Sequence, residues 1–233
     1  MIRLDKYLAD MEVGTRSEVK KYIRKGSITV NGEPNKSPEY KVQDQDIVTY
    51  LGKQINYQKY VYYMLNKPAG VVSATEDRKE ITVLDLLTDV QTKDVFPVGR
   101  LDKDTEGLLL LTNNGSVAHE LLSPKKHVNK VYYARIHGQV TAEDVEKFRA
   151  GLEIGEKNLT LPAELEILQS GVESEVHITI REGKFHQIKR MFEAVEKEVV
   201  YLKRLQMGTL VLDESLELGA FRILTDVEVN ALC

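Results

Sequence analysis

The sequence predicts an α+β protein built as a small N-terminal domain and a larger, strand-rich second domain. Three observations carry that prediction. The first fifty residues hold two short helical stripes followed by a strand that runs into an Asn31-Gly32 turn. A polar stretch at 53–59 contains Ile55 as its one aliphatic residue and reads as a linker. Beyond it, alternating or continuous apolar segments of strand length interleave with short amphipathic ones. The expected boundaries are 1–52 for the first domain, 53–59 for the linker and 60–233 for the second.

In the first domain, Leu4, Tyr7 and Leu8 recur at helical spacing, and Gly14 is the expected stop. Ser17 is the expected cap of a second helix with Val19, Tyr22 and Ile23 on its apolar stripe. Arg16, Lys20, Lys21, Arg24 and Lys25 surround that stripe, opposed by Glu18 alone. A charge run is ordinarily a solvated face, but five cations with one acid in ten residues also suit phosphate contacts. Gly26 ends the helix, Ile28-Thr29-Val30 is a strand, Asn-Gly is a hairpin signal, and residues 46–50 form the closing strand.

In the second domain, residues 60–65 read as a strand ended by Asn66-Lys67-Pro68 and Gly70. Lys67 suits either a substrate backbone contact or a turn. A loop at 74–79 and a short helix at 83–87 follow. The organising segment is Gly99-Arg100-Leu101-Asp102, then Thr105-Glu106-Gly107 and four leucines closed by Asn113-Asn114-Gly115. A leucine run that short, stopped by turn residues, is a buried strand. It would hold the charged segment still at the rim of a sheet. Taken alone, Asp102 beside a glycine segment would be a turn or cap residue.

A helix at 117–122, a basic cluster (Lys125, Lys126, His127, Lys130), a strand at 130–136 and a helix at 142–150 come next. Strands at 165–168 and 176–180 lead to Glu182-Gly183-Lys184-Phe185-His186-Gln187-Ile188-Lys189-Arg190-Met191. That segment reads as a strand exit opening a helix, with Phe185, Ile188 and Phe192 on one face. Strands near 199–212 and 221–224 and a short terminal helix complete the chain.

Composition narrows the function classes. Apolar residues make up 42% and charged residues 29%, the balance of a soluble protein with a real core. No apolar run approaches the roughly twenty residues of a membrane span. The first residues lack the apolar core of a signal peptide, and the single cysteine, Cys233, excludes an intrachain disulfide, so the cytoplasm is expected. Net charge is −4, with +2 in residues 1–56, so a nucleic-acid site must be a local patch. The five histidines form no metal-spaced pair, and no phosphate-binding loop motif occurs.

Arg3-Leu4-Asp5-Lys6-Tyr7-Leu8, Arg16-Ser17-Glu18 and the helix-to-hairpin junction from Ile23 to Gly32 resemble the small RNA-binding domain first described in ribosomal protein S-four. Asn-Lys-Pro-x-Gly at 66–70, the Asp102 segment, the strand opening at Lys130 and the Glu182–Met191 segment resemble, in order, the motifs of pseudouridine synthases. Among these they are most similar to the RsuA branch, which modifies small-subunit ribosomal RNA. The resemblance implies a mixed, mainly antiparallel catalytic sheet and isomerisation of uridine in 16S ribosomal RNA, free or within a small-subunit assembly intermediate. It implies a monomer needing no cofactor or metal.

By the same resemblance, Asp102 acts at the sugar's anomeric carbon, and Lys189, where the family has Arg or Lys, keeps it ionised. Tyr132 helps remove the base proton, although a sheet tyrosine covering core would need no such role. Arg100, Lys67, His186, Gln187 and Arg190 are expected at the substrate, and Arg3, Arg16, Lys20, Lys21, Arg24 and Lys25 at RNA. The competing readings are a large-subunit (23S) enzyme of the same family, a non-catalytic RNA-binding assembly factor, and a glycosidase pairing Asp102 with Asp104 or Glu106.

Overall fold

The computed structural model describes residues 1–232; Cys233, the sole cysteine, lies outside them. The chain forms two compact units: Met1–Val61 with Asp89–Lys93, and Tyr62–Thr88 with Asp94–Cys233. No helix among the described residues is long and apolar enough to cross a membrane.

The first unit runs β1 (Ile2–Arg3), α1 (Leu4–Asp10), α2 (Arg16–Arg24), β2 (Ile28–Val30), β3 (Glu33–Pro34), β4 (Lys41–Val42), β5 (Val48–Tyr50) and β6 (Lys53–Gln54). Leu4, Leu8, Val19, Ile23 and Ile28 are fully buried in one cluster, as the helical stripes require. The cap of α2 is Thr15, not Ser17. Thr15 Oγ1 accepts from the Glu18 amide while the Glu18 carboxylate accepts from the Thr15 amide, a reciprocal box that needs this three-residue spacing. Asn31 (φ 55) and Gly32 (φ 86) make the tight hairpin turn between β2 and β3. The stretch read as a linker is partly folded: Lys53–Gln54 pairs with β5, and Ile55 and Tyr57 pack against the unit's core. Asp89–Lys93, read as part of the second domain, joins this unit, where Lys93 Nζ lies 2.7 Å from Asp10.

The second unit contains β7 (Tyr62–Lys67), β8 (Phe96–Pro97), β9 (Glu106–Thr112), α3 (Gly115–Leu122), β10 (Lys130–His137), α4 (Ala142–Ala150), β11 (Glu164–Gln169), β12 (Glu173–Ile180), α5 (Gln187–Glu193), β13 (Glu198–Met207), β14 (Leu210–Val211), β15 (Phe221–Ile223) and α6 (Asp226–Ala231). Its sheet has the order β11-β12-β10-β13-β9-β7-β15, with β8 and β14 paired at β9 and β13. Every pairing is antiparallel except β9 with β13.

Leu108, Leu109, Leu110 and Leu111 are all fully buried, as a central strand covered on both faces must be. Leu108 and Leu110 share one cluster with Met64, Val117, Leu121 and Met207. Gly107, at the entrance of β9, lies opposite Arg204. A Cβ there would sit 2.3 Å from the Arg204 carbonyl oxygen, so the parallel contact of β9 and β13 requires glycine.

Two elements differ from expectation. Residues 83–87 are a turn closed by hydrogen bonds such as Leu87 N to Leu84 O (3.0 Å), too short to propagate a helix. The strand read at 60–65 begins at Tyr62 and continues through Asn66 and Lys67, which pair with Leu108 and Gly107.

Candidate active site

The segment joining β8 to β9 carries Asp102 and is tied down by its own backbone. Leu101 N donates to Ser73 Oγ (3.1 Å), and that hydroxyl donates back to the Leu101 carbonyl (2.9 Å). Gly70 N donates to Lys103 O (2.7 Å), and Thr105 N to Asp102 O (3.1 Å). At the centre is Lys67. Its side chain is fully buried, and its ammonium faces the carbonyls of Pro68 (3.0 Å), Asp102 (3.1 Å), Lys103 (3.3 Å) and Thr105 (2.8 Å). Burial pushes Lys67 down to about 8, opposed by the nearby Asp104, Asp102 and Glu106 carboxylates. Lys67 is therefore turned into the protein, its charge spent on the loop that presents Asp102.

The Asp102 carboxylate is part-exposed (30%) and faces the chain that leaves β12 and enters α5. Lys189 Nζ lies 3.7 Å from one carboxylate oxygen and His186 Nε2 lies 3.7 Å from the other. An open hollow here is lined by Arg100, Asp102, Tyr132, Lys184, His186 and Lys189, among others. Tyr132, on β10, is buried at its wall. A second, more open concavity shares Asp102, His186 and Lys189 and adds Ala69, Gly70 and Asp104. Of the expected site residues, the fold thus gathers Asp102, Tyr132, Lys189, Arg100, His186 and Gln187 around the hollow.

Gln187, in the wall of the hollow, and Arg190, outside it, are held by bonds within the fold. Gln187 is buried; its Oε1 accepts from Lys184 N (3.0 Å) and its Nε2 donates to Glu182 Oε1 (2.9 Å). Both ends of its amide are thereby spent on the turn into α5. Arg190 donates to Glu156 (3.0 Å), to Phe185 O (3.0 Å) and to Ile154 O, which draws it away from the hollow. Phe185 precedes α5, so it shares no helical face with Ile188 and Phe192. It is 73% exposed, while those two are buried.

Asp104 was not singled out as a partner of Lys189, yet it is the nearer one. Both its oxygens lie 2.7 Å from Lys189 Nζ. That hydrogen bond holds the Asp104 carboxyl below its usual range, against an opposing effect of burial. The available signal was the acid two places beyond Asp102 on the same anchored turn.

In the first unit, three expected RNA contacts converge on one acid. Arg3 (3.0 Å), Arg16 (3.4 Å) and Lys20 (3.8 Å) surround the buried Asp5 carboxylate. Burial pushes that carboxyl up, but the Arg3 and Arg16 hydrogen bonds outweigh it and hold it low. Lys21 and Arg24 on α2 and Lys25 at its C-terminal cap remain exposed.

A carboxylate on an anchored loop at the sheet's rim, facing cations across an open hollow, in a chain with a basic helix-hairpin unit, is an arrangement suited to nucleic-acid chemistry. Comparison with known proteins makes the class specific. A family model described as RNA pseudouridylate synthase matches residues 61–194, and one described as S4 domain matches residues 2–48. The chain belongs to the RNA pseudouridylate synthase family and is an isomerase. It is 46% identical to an uncharacterized RNA pseudouridine synthase of Bacillus subtilis, over 99% of this chain and 98% of that protein. It is 41% identical to the ribosomal small subunit pseudouridine synthase A of Vibrio cholerae, over 99% of each. A crystal structure of a pseudouridylate synthase, 37% identical, superposes over 100% of both chains with a TM-score of 0.70.

Proposed function

We propose that this chain isomerises a specific uridine to pseudouridine in 16S ribosomal RNA, with Asp102 acting at the uridine's sugar. The observation that carries the reading is the part-exposed Asp102 carboxylate, set in an open hollow with Lys189 and His186 each 3.7 Å away and Tyr132 in the wall. The reaction breaks the bond from the sugar to the base nitrogen, turns the base and rejoins it through carbon, releasing the proton that carbon carried. It needs an ionised carboxylate at the anomeric carbon, which a neighbouring ammonium favours. It also needs a group near the base to receive the proton, the role given to Tyr132. Arg100 at the rim suits the nucleotide's phosphate. The target must leave its stack, at roughly a few kcal/mol, which RNA contacts elsewhere offset. The exposed cations of α2 supply that contact in this reading.

The small-subunit assignment is supported by relatives named ribosomal small subunit pseudouridine synthase A at 41% and 37% identity over essentially the full chain. Mapping pseudouridines in ribosomal RNA with and without the gene is the test. One small-subunit position should disappear from the map, whereas loss of a large-subunit position instead would overturn the target. With purified protein, Asp102→Asn should lower kcat by about 10⁴-fold, the scale of losing a central catalytic group, while RNA binding persists. Undiminished turnover by that variant would remove Asp102 from the mechanism.

A further inference from the structure

Phe185 is the only exposed phenylalanine among the described residues, and it lies in the chain between Lys184 and His186, both of which line the Asp102 hollow. One face of its ring is stacked on His186, with centroids 3.8 Å apart and planes 18° from parallel. His186 in turn directs Nε2 at Asp102. With 73% of the residue exposed, the other face of the Phe185 ring is turned to solvent.

The ring is held outward rather than left loose. His186 has a left-handed backbone (φ 47), the preceding Lys184 amide is bound by Gln187, and the Phe185 carbonyl is bound by Arg190. An apolar ring held in water forgoes the stabilisation of burial, so its placement calls for a partner. Arg100, Lys184 and Lys189, which line the hollow together with the His186 that Phe185 stacks on, favour a polyanion. A flat ring with an open face among cations is the arrangement that receives an unpaired nucleobase.

We propose that Phe185 carries an unpaired base adjoining the target uridine, extending the His186 stack outward from Asp102. The inference rests on the reading of the hollow as the uridine site, and it adds a second base-binding position to it. The sequence contains no tryptophan, so Phe185→Trp installs a single indole at the position in question. That variant is titrated with ribosomal RNA from a strain lacking the gene, with retention on filters followed in parallel. Stacking quenches the indole as RNA is retained. Retention without quenching, or no retention, overturns the proposal.

In turnover, Phe185→Ala should raise KM by about five- to hundredfold, the usual range for losing one base stack, with the larger part of the loss in KM rather than kcat. Phe185→Tyr should restore most of it. An unchanged KM for Phe185→Ala overturns the proposal as well. Adding Asp102→Asn to the Phe185→Trp variant separates the two readings. Normal turnover there removes the uridine-site reading, while the quenching still reports on the stack.

Discussion

Lys67 and Lys189 show how differently one residue type serves two neighbouring positions. Lys67 is sealed beneath the Asp102 loop and bonded to four carbonyls, whereas Lys189 stands in the hollow, shared between Asp104 at 2.7 Å and Asp102 at 3.7 Å. Replacing Lys67 with Met strands those carbonyls, each unsatisfied group costing about 1–3 kcal/mol. The expected result is a lowered Tm together with a large fall in kcat/KM, although the Lys67 side chain is buried beneath the loop. Removing the Asp104 charge has a different expected outcome. Asp104→Asn frees Lys189 to settle on Asp102, so activity should stay within about tenfold, since an exposed pair contributes little to stability. Lys189→Met removes the ammonium 3.7 Å from Asp102 and should depress kcat by about 10²-fold or more, on the scale of electrostatic catalytic groups. Steady-state kinetics on the three variants side by side check the ordering. Asp102 was legible because its motif is continuous in sequence. The Asp104–Lys189 pair was not, because its members are 85 residues apart and meet only when the α5 entrance lies against the β8–β9 loop.

Elements were legible where a local pattern alone dictates them. The leucine run, the Asn31-Gly32 hairpin and the helix at Ala142–Ala150 all formed as their periodicity requires. The turn at 83–87 and the true cap of α2 depended on which local hydrogen bonds close, and several closures compete there. Gly107 marks the point where an element becomes a tertiary constraint. Gly107→Ala places a methyl within 2.3 Å of the Arg204 carbonyl oxygen and should destabilise by more than about 3 kcal/mol, measured by denaturant unfolding.

At the chain's end, α6 is held by a different device. Thr225 and Glu228 form its capping box, and Arg222 binds both Glu228 and Asp213. Hydrogen bonding from Arg222, against burial, lowers Glu228 from 4.5 to about 2. A carboxyl whose folded value lies below its unfolded one stabilises fully above the unfolded value. That stabilisation drains away as pH falls through the folded value. Amide exchange in α6 should therefore accelerate, after correction for intrinsic rates, between pH 4.5 and about 2, and Glu228→Gln should abolish the pH dependence.

Over the whole molecule, net charge is −4, yet three exposed cations remain together on α2 and its C-terminal cap after Arg3, Arg16 and Lys20 have gathered at Asp5. Under the proposed function, Lys21, Arg24 and Lys25 meet phosphates. Their joint replacement by Gln should flatten the dependence of log affinity on log salt by about 0.7–0.9 per lost contact, read from binding isotherms at several salt concentrations. An unchanged slope would place the RNA contact elsewhere.

The sequence by itself determined the two-domain α+β plan and the buried leucine strand and pointed to Asp102 as the candidate acid, because periodicity, turn residues and contiguous motifs act over a few residues. Only the tertiary structure decided what each charge does. Lys67 and Arg190 lie in the same motifs as the residues around the hollow, and they became its supports because polar groups drawn into the fold must find partners wherever it brings them.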